Sequence, residues 1–271
     1  MIAVCVAGVT GWTGRAVAEA IVAAPDLTLA GGVSRSAAGQ DAGDVLGEEL
    51  LGLAVVATVS EALDGVDVLV DYTGPGVAKD NALTAISRGV HVVIGTSGLS
   101  AGDFAEIDEA ARSAGVGVVA AGNFSLTAAM AQAAALLVAP FLPQREIIDY
   151  ASAGKPDAPS GTARELAERL GEVATHELVV AVADTIGHPE ARGASIVGTQ
   201  VHSLRLPSFV VSTEVVFAAP DERLVIRHDA GGTPTPYVAG TLLAVRAAPG
   251  VIGLVRGLDT LLLSGRPRAG A

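Results

Sequence analysis

Apolar and polar positions alternate with one rhythm in the first half of the chain and another in the second. Continuous apolar runs occur at Ile2 to Ala7, Leu27 to Val33, Val66 to Asp71, Val90 to Ile94 and Val116 to Ala120. Between them, Thr13 to Ala24, Ala78 to Ser87 and Ala101 to Ala114 have helical spacing. Runs apolar at every residue read as strands buried on both faces, and their alternation with helices predicts an α/β fold with a doubly wound parallel sheet. After Asn123 a helix, Leu126 to Val138, leads to a strand near Glu146 to Tyr150, a loop, and a helix from Ala163 to Val173. Strand-like runs then succeed one another at Leu178 to Ala183, Val197 to Leu204, Phe209 to Phe217 and Leu224 to His228. That order predicts a second, α+β domain with a mixed open sheet. Pro234 and Pro236 precede two last helical stretches, Tyr237 to Ala247 and Val251 to Leu263. The expected domains are residues 1–123, completed by helices within 237–271, and residues 124–236.

Composition narrows the class. Half of the 271 residues are hydrophobic but only 3% are aromatic, so the core is mainly Ala, Val, Leu and Ile. Disorder is excluded. The longest apolar stretch, Ala128 to Leu142, carries Gln132 and Pro140 and is shorter than the ~18 residues of a membrane span. Ile2, Ala3 and Val4 follow Met1 with no basic segment, so no secretory or transit signal is expected. Cys5 is the sole cysteine, which leaves no internal disulfide and no cysteine cage for a metal. Both features predict a cytoplasmic protein. The net charge of −12 disfavours nucleic acid and anionic membranes as partners, and an anionic substrate needs a local cluster of N–H groups and cations. A mean hydropathy of +0.51 predicts that copies of the chain cover some apolar surface.

Gly8, Val9, Thr10, Gly11, Trp12, Thr13, Gly14 and Arg15 lie between the first strand and the first helix. Such glycines permit a tight turn, and N–H groups at the helix start then cradle a pyrophosphate, as in Rossmann-like dinucleotide domains. The second strand ends in Gly31, Gly32, Val33, Ser34, Arg35, Ser36, with no carboxylate for a ribose 2′-hydroxyl. Hydroxyls and a guanidinium suit a 2′-phosphate, which favours NADPH and leaves NADH as the lesser candidate. Three more strand ends carry small or hydroxylated residues: Asp71 to Pro75 with Thr73; Gly95, Thr96, Ser97 and Gly98; and Ala121, Gly122, Asn123, Phe124 and Ser125.

The most specific stretch is Gly154, Lys155, Pro156, Asp157, Ala158, Pro159, Ser160, Gly161, Thr162, Ala163. Thr162 and Glu165 have capping-box spacing at the start of an amphipathic helix. Lys155, one of only two lysines, stands ahead of a helix start where Ser160, Gly161 and Thr162 suit a carboxylate.

These segments, together with His202 to Pro207 and Ile226 to Asp229, resemble the 4-hydroxy-tetrahydrodipicolinate (dihydrodipicolinate) reductases of lysine and diaminopimelate biosynthesis. The resemblance runs along the whole chain. It implies NAD(P)H-dependent reduction of a cyclic dicarboxylate imine by a homotetramer assembled through the second domain. Lys155 is then the proton donor, Gly161 and Thr162 hold a substrate carboxylate, and Ser97 lies beside nicotinamide and substrate. Ser152 and Ser160 complete the expected substrate set, and no metal is implied. Three departures stand out. Ala151 and Ser152 replace a histidine pair assigned to proton transfer and substrate binding, and neither does the work of an imidazole. Residues Thr233 to Pro236 lack an arginine and an aromatic, and Trp12 replaces a basic residue. Among His91, His176, His188, His202 and His228, only His202 and His228 are candidates to approach the altered loop. Reduction of a different cyclic imine or unsaturated carboxylate, and a non-catalytic NADP-binding sensor, are the competing readings.

Overall fold

A computed structural model describes residues 1–175 and 177–264. Contact density separates two compact units, Met1–Ser125 with the chain from Pro234 on, and Leu126–Thr233. The first opens with β1 (Ile2–Ala7), α1 (Trp12–Ala23), β2 (Leu27–Val33), α2 (Ala42–Leu46), β3 (Val55–Val56), α3 (Val59–Ala62) and β4 (Val68–Asp71). It continues through α4 (Pro75–Ser87), β5 (His91–Ile94), α5 (Ala101–Ala114) and β6 (Gly117–Ala120). The second unit holds α6 (Leu126–Val138), β7 (Arg145–Ala151), α7 (Gly161–Val173), β8 (Ala194–Ile196), β9 (Thr199–Arg205), β10 (Val211–Ala219) and β11 (Glu222–Asp229). The chain then returns with α8 (Thr235–Ala247), β12 (Gly253–Arg256) and α9 (Leu258–Ser264).

In the first unit seven strands lie in the order β12-β6-β5-β4-β1-β2-β3, all parallel. Side chains alternate across it: Cys5 and Ala7 join the core under α3, α4 and α5, and Val4 and Val6 are equally buried on the opposite side. Parallel register places Val33, Ala7, Asp71, Ile94, Ala120 and Arg256 in one row. The loops that follow these residues therefore share one edge of the sheet, and chain order reverses there between β1 and β4.

Two expectations are corrected. Val251 to Leu263 is not one helix. Gly253 and Gly257, at φ +84° and +86°, bracket the strand β12, which extends the sheet beside β6, and only the residues from Leu258 on are helical. The apolar run Leu178 to Ala183 is not a strand. Val179 and Val180 are exposed, no ladder includes them, and the run ends in a 3-10 turn at Val182–Asp184. The short elements α2, α3, β3 and β8 have no distinct signal in the apolar pattern.

The second unit's sheet has the order β11-β10-β7-β9-β8, antiparallel except between β7 and β9. Along β7 burial alternates strictly. Ile147 packs into the core formed with α7, and Arg145 and Asp149 share its face. Two charges on a buried face require partners, and α7 supplies them at both of its ends. Arg145, 2% exposed, donates to the carbonyls of Leu170 (3.0 Å) and Ala174 (2.9 Å) at the helix C-terminus. Asp149 accepts from the Ser160 N–H at the helix N-terminus, at 2.8 Å.

Candidate functional site

The glycine turn is built by steric necessity. Gly8 has φ +85°, and a Cβ there would stand 2.5 Å from the Tyr72 carbonyl oxygen at the end of β4. A Cβ on Gly14 would overlap the Gly8 carbonyl oxygen, so α1 packs tightly against the turn. The Gly11 N–H donates to Gly8 O at 2.8 Å, and Gly11 is the N-cap of α1 without a side-chain cap. The first-turn N–H groups of an α-helix have no intrahelical acceptor, and the helix dipole favours an anion beside them. A cleft of about 710 Å³ adjoins this turn, walled by Thr10 and Gly11, by Ser34, Arg35 and Ser36, and by Tyr72 to Val77 with Asn81. The hydroxyls of Thr10 and Ser34 lie 2.9 Å apart, and that of Ser36 is 3.1 Å from Ser34. Arg35 is exposed and in no ion pair among the described residues.

Other expected cofactor residues lie nearby but off the cleft wall. Thr13 and Gly14 are in the first turn of α1, and Trp12, half exposed, meets Tyr237 edge to face at 5.9 Å. Arg15 turns aside, donating to Glu19 (2.9 Å) and to the Leu46 carbonyl (2.7 Å). Gly95, Thr96 and Ser97 follow β5; Ala121, Asn123 and Phe124 follow β6. Tyr72 underlies Gly95, lies edge-on to Phe124 at 6.3 Å, and donates its phenol proton to Thr241 Oγ1 at 2.6 Å. Burial pushes that phenol well above its usual pKa. The bond ties the end of β4 to α8, which explains why C-terminal elements complete the first unit.

In the second unit, Ser160 rather than Thr162 caps α7, because its Oγ accepts from the Ala163 N–H at 3.3 Å while its own N–H is taken by Asp149. Gly161 and Thr162 are thus the first two helical residues. Glu165 is no capping partner: it is buried, accepts from Gln132 Nε2 at 3.2 Å, and lies 3.7 Å from Arg169. Asp149, fully buried, also accepts from Ser203 Oγ (3.0 Å) and Arg205 Nη2 (2.8 Å), and Arg205 donates to the Asp157 carbonyl (2.6 Å). The loop is therefore pinned to β7 and β9 on both sides of Pro159. Lys155 Nζ pairs with Asp157 Oδ1 at 2.7 Å, and its N–H donates to Ser152 O at 3.0 Å. The outcome is an ammonium group and a rigid helix start on one short loop, a combination suited to an acid with a carboxylate beside its reacting centre.

One family model, dihydrodipicolinate reductase, N-terminus, matches residues 2–124, and its companion, dihydrodipicolinate reductase, C-terminus, matches residues 122–260. The chain belongs to the dihydrodipicolinate reductase family. It is 38% identical over 275 residues to the 4-hydroxy-tetrahydrodipicolinate reductase of Synechococcus elongatus, covering 96% of this chain and 98% of the relative. The enzyme of that name from Thermosynechococcus vestitus is 35% identical over 268 residues, covering 96% and 97%. A dipicolinate-bound dihydrodipicolinate reductase from Paenisporosarcina sp. TG-14 superposes with a TM-score of 0.73 at 25% identity, covering 96% of this chain and 99% of that one. Amine dehydrogenase from Mycobacterium smegmatis shares the fold, with a TM-score of 0.66 at 15% identity.

Within this reductase family the altered histidine positions have unequal surroundings. Ala151 is fully buried on the helix-covered face of β7, whereas Ser152 is partly exposed. His202 lies on the opposite face of the sheet, where its Nε2 meets Glu146 Oε2 at 2.7 Å. Burial raises the Glu146 carboxyl pKa, but the hydrogen bonds from His202 and Arg192 outweigh it and hold the group below its ordinary range. His228 is on the helix side, its Nε2 3.0 Å from Thr127 Oγ1, and shares a small cavity of about 20 Å³ with Thr162 and Gln132. Burial lowers its pKa, favouring neutral imidazole. His91 Nδ1 accepts from the Gly117 N–H at 2.9 Å, a structural role, and His188 flanks a 3-10 turn. His176 lies outside the described residues.

Of the organising residues, Asp71 and Arg205 lie inside the segments Asp71 to Pro75 and His202 to Pro207 with no role assigned to them, and Arg145 and Asp149 lie in no motif. For Arg145 and Asp149 a signal existed: both stand in phase with Ile147 on a strand of period two.

Proposed function

We propose that the protein reduces 4-hydroxy-tetrahydrodipicolinate to tetrahydrodipicolinate in lysine and diaminopimelate biosynthesis, using NADPH in preference to NADH. The observation that carries this reading is the intact Lys155–Thr162 loop, anchored by Asp149 and Arg205, in a chain 38% identical to a reductase of that name. A bound nicotinamide dinucleotide supplies hydride. The glycine turn fits its pyrophosphate, since Gly8 and Gly11 line the cleft and Gly11 caps α1 with no side chain to occupy the first-turn N–H groups, and Ser34, Arg35 and Ser36 suit a 2′-phosphate. In the second unit Gly161 and Thr162 grip a ring carboxylate, and the Lys155 ammonium delivers the proton that must accompany hydride. The substrate gains hydride and a proton and loses its ring hydroxyl as water. The first unit is thus the dinucleotide-binding domain and the second the substrate-binding and oligomerisation domain. Ile148, Leu204, Val216 and Val225, on the sheet face away from α6 and α7, suit a homotetramer. No helix among the described residues is long and apolar enough to cross a membrane. A cytoplasmic setting accords with the single buried thiol.

The test follows NADPH absorbance with the condensation product of pyruvate and aspartate semialdehyde. Saturable turnover supports the proposal, and Lys155→Ala should abolish it while NADPH binding persists; unchanged turnover in the variant removes Lys155 from the mechanism. Ala151 and Ser152 favour a second reading, reduction of another cyclic imine or unsaturated carboxylate. Silence toward the first substrate with turnover in a panel of such compounds would establish it. Binding of NADPH with no turnover on any of them would leave the sensor.

A further inference from the structure

Asp71 ends β4 with no exposed surface, and its carboxylate collects four donors. Oδ1 accepts the Thr73 N–H (3.0 Å), the Thr73 hydroxyl (2.7 Å) and the Thr96 hydroxyl (2.6 Å); Oδ2 accepts the Asn81 side-chain amide (2.8 Å). A hydroxyl has one proton and a carboxylate accepts only. Once Thr73 and Thr96 have given their protons to Asp71, each has only lone pairs for anything else. The same argument orients Asn81: its NH₂ gives one proton to the carboxylate, which leaves its carbonyl oxygen and its second N–H for other partners. Thr73 and Asn81 both line the cleft beside the glycine turn.

The cleft is therefore polar in a directional sense. Its glycine-turn wall offers donors, the start of α1 and the Arg35 guanidinium. Its Asp71 corner adds two acceptors, the Thr73 hydroxyl and the Asn81 carbonyl oxygen, beside the start of α4.

We propose that Asp71 is a positioning residue that fixes the Thr73 hydroxyl and the Asn81 carbonyl oxygen as hydrogen-bond acceptors, so that they take a donor-bearing part of the nicotinamide half of the dinucleotide, a hydroxyl of its ribose or the carboxamide NH₂, and not a phosphate oxygen. The proposal rests on the dinucleotide reading of the cleft. It adds a direction to that reading: phosphate oxygens, which only accept, belong at the glycine turn, and sugar or amide protons belong at Thr73. Asp71 acts through the groups it orients and does not itself touch the ligand.

The experiment measures dissociation constants of the full chain for NADPH and for adenosine 2′,5′-bisphosphate, which carries phosphates but no nicotinamide half. Thr73 is exposed, so Thr73→Val is readily accommodated; it should weaken NADPH about three- to ten-fold, the worth of one hydrogen bond, and leave the bisphosphate unchanged. Thr73→Ser keeps the hydroxyl and should bind both as the parent does. Asp71→Asn places a donor among donors and should weaken NADPH by about ten-fold or more, again sparing the bisphosphate. The 3-acetylpyridine analogue, which lacks the amide protons, separates the two donors. If Thr73→Val no longer weakens binding of this analogue the carboxamide is the partner, and if it weakens it as much as NADPH the ribose is. Thr73→Val binding NADPH like the parent, or losing both ligands equally, would overturn the proposal. Failure of the parent chain to bind NADPH or NADH would instead overturn the dinucleotide reading beneath it.

Discussion

Replacing Arg205 with alanine tests whether the loop before α7 is held by electrostatics or by packing. Arg205 is 17% exposed at its side chain and donates to Asp149, which has no exposed surface. Without the guanidinium, Asp149 keeps two neutral donors, the Ser160 N–H and the Ser203 hydroxyl. Breaking a buried pair by removing one partner typically costs ~3–5 kcal/mol because a charge is left uncompensated. The two surviving bonds, each worth ~1 kcal/mol, place the expected loss near the lower limit, about 3 kcal/mol. The double variant Asp149→Asn, Arg205→Met removes both charges at similar volume and should be milder than Arg205→Ala alone, a sign of coupling between the sites. Urea unfolding followed by circular dichroism reads the stability term. Substrate KM reads the functional one, and should rise while the NADPH dissociation constant stays put, because the loop and the cleft proposed for the cofactor belong to different units. Arg205→Ala within about 1 kcal/mol of the parent, or a double variant no milder than the single, would refute this account of the anchor.

Three further outcomes are expected. On the proposed NADPH preference, Arg35→Ala should raise the KM for NADPH about ten-fold and leave that for NADH nearly unchanged, since a guanidinium suits a 2′-phosphate; equal effects on both would remove Arg35 from cofactor discrimination. The Cys5 thiol is pushed up to about 12 by burial and then by Asp71, whereas in the unfolded chain it ionises near 9.0. Its raised folded pKa gives a stability contribution complete below pH 9 and lost as pH climbs toward 12, so Cys5→Ala should flatten the alkaline limb of stability against pH. Ala151→His should destabilise by about 1–3 kcal/mol through overpacking, while Ser152→His, at a partly exposed position, should fold normally; the reverse order in thermal unfolding would contradict the burial pattern of β7.

What the sequence discloses here depends on whether a residue acts through its own pattern or through a distant partner. The parallel sheet was legible because buried strands are apolar throughout, and β1 and β2 coincide with the expected Ile2–Ala7 and Leu27–Val33. The Leu178 run misleads by the same rule, since apolarity alone does not provide a neighbouring strand with which to pair. β12 was hidden for the converse reason. Three residues between two left-handed glycines resemble a helical stretch until β6 is there to accept them.

The site divides along the same line. Lys155, Gly161 and Thr162 are neighbours in sequence, so their motif could be read directly, whereas the carboxylates that hold each loop in place lie far away or inside apolar runs. Asp71 reads as the last residue of a buried strand, and only the fold brings Thr96, 25 residues on, to its carboxylate. Asp149 reaches Arg205 across 56 residues. The altered histidine pair shows both sides of this limit. Sequence reveals that Ala151 and Ser152 lack an imidazole, but only the alternating burial of β7 shows that position 151 faces the core and position 152 does not. A histidine restored at 151 must therefore displace packed atoms. Any proton relay in this chain that departs from Lys155 is more readily accommodated from the partly exposed side of the loop, at Ser152, than from the residue before it.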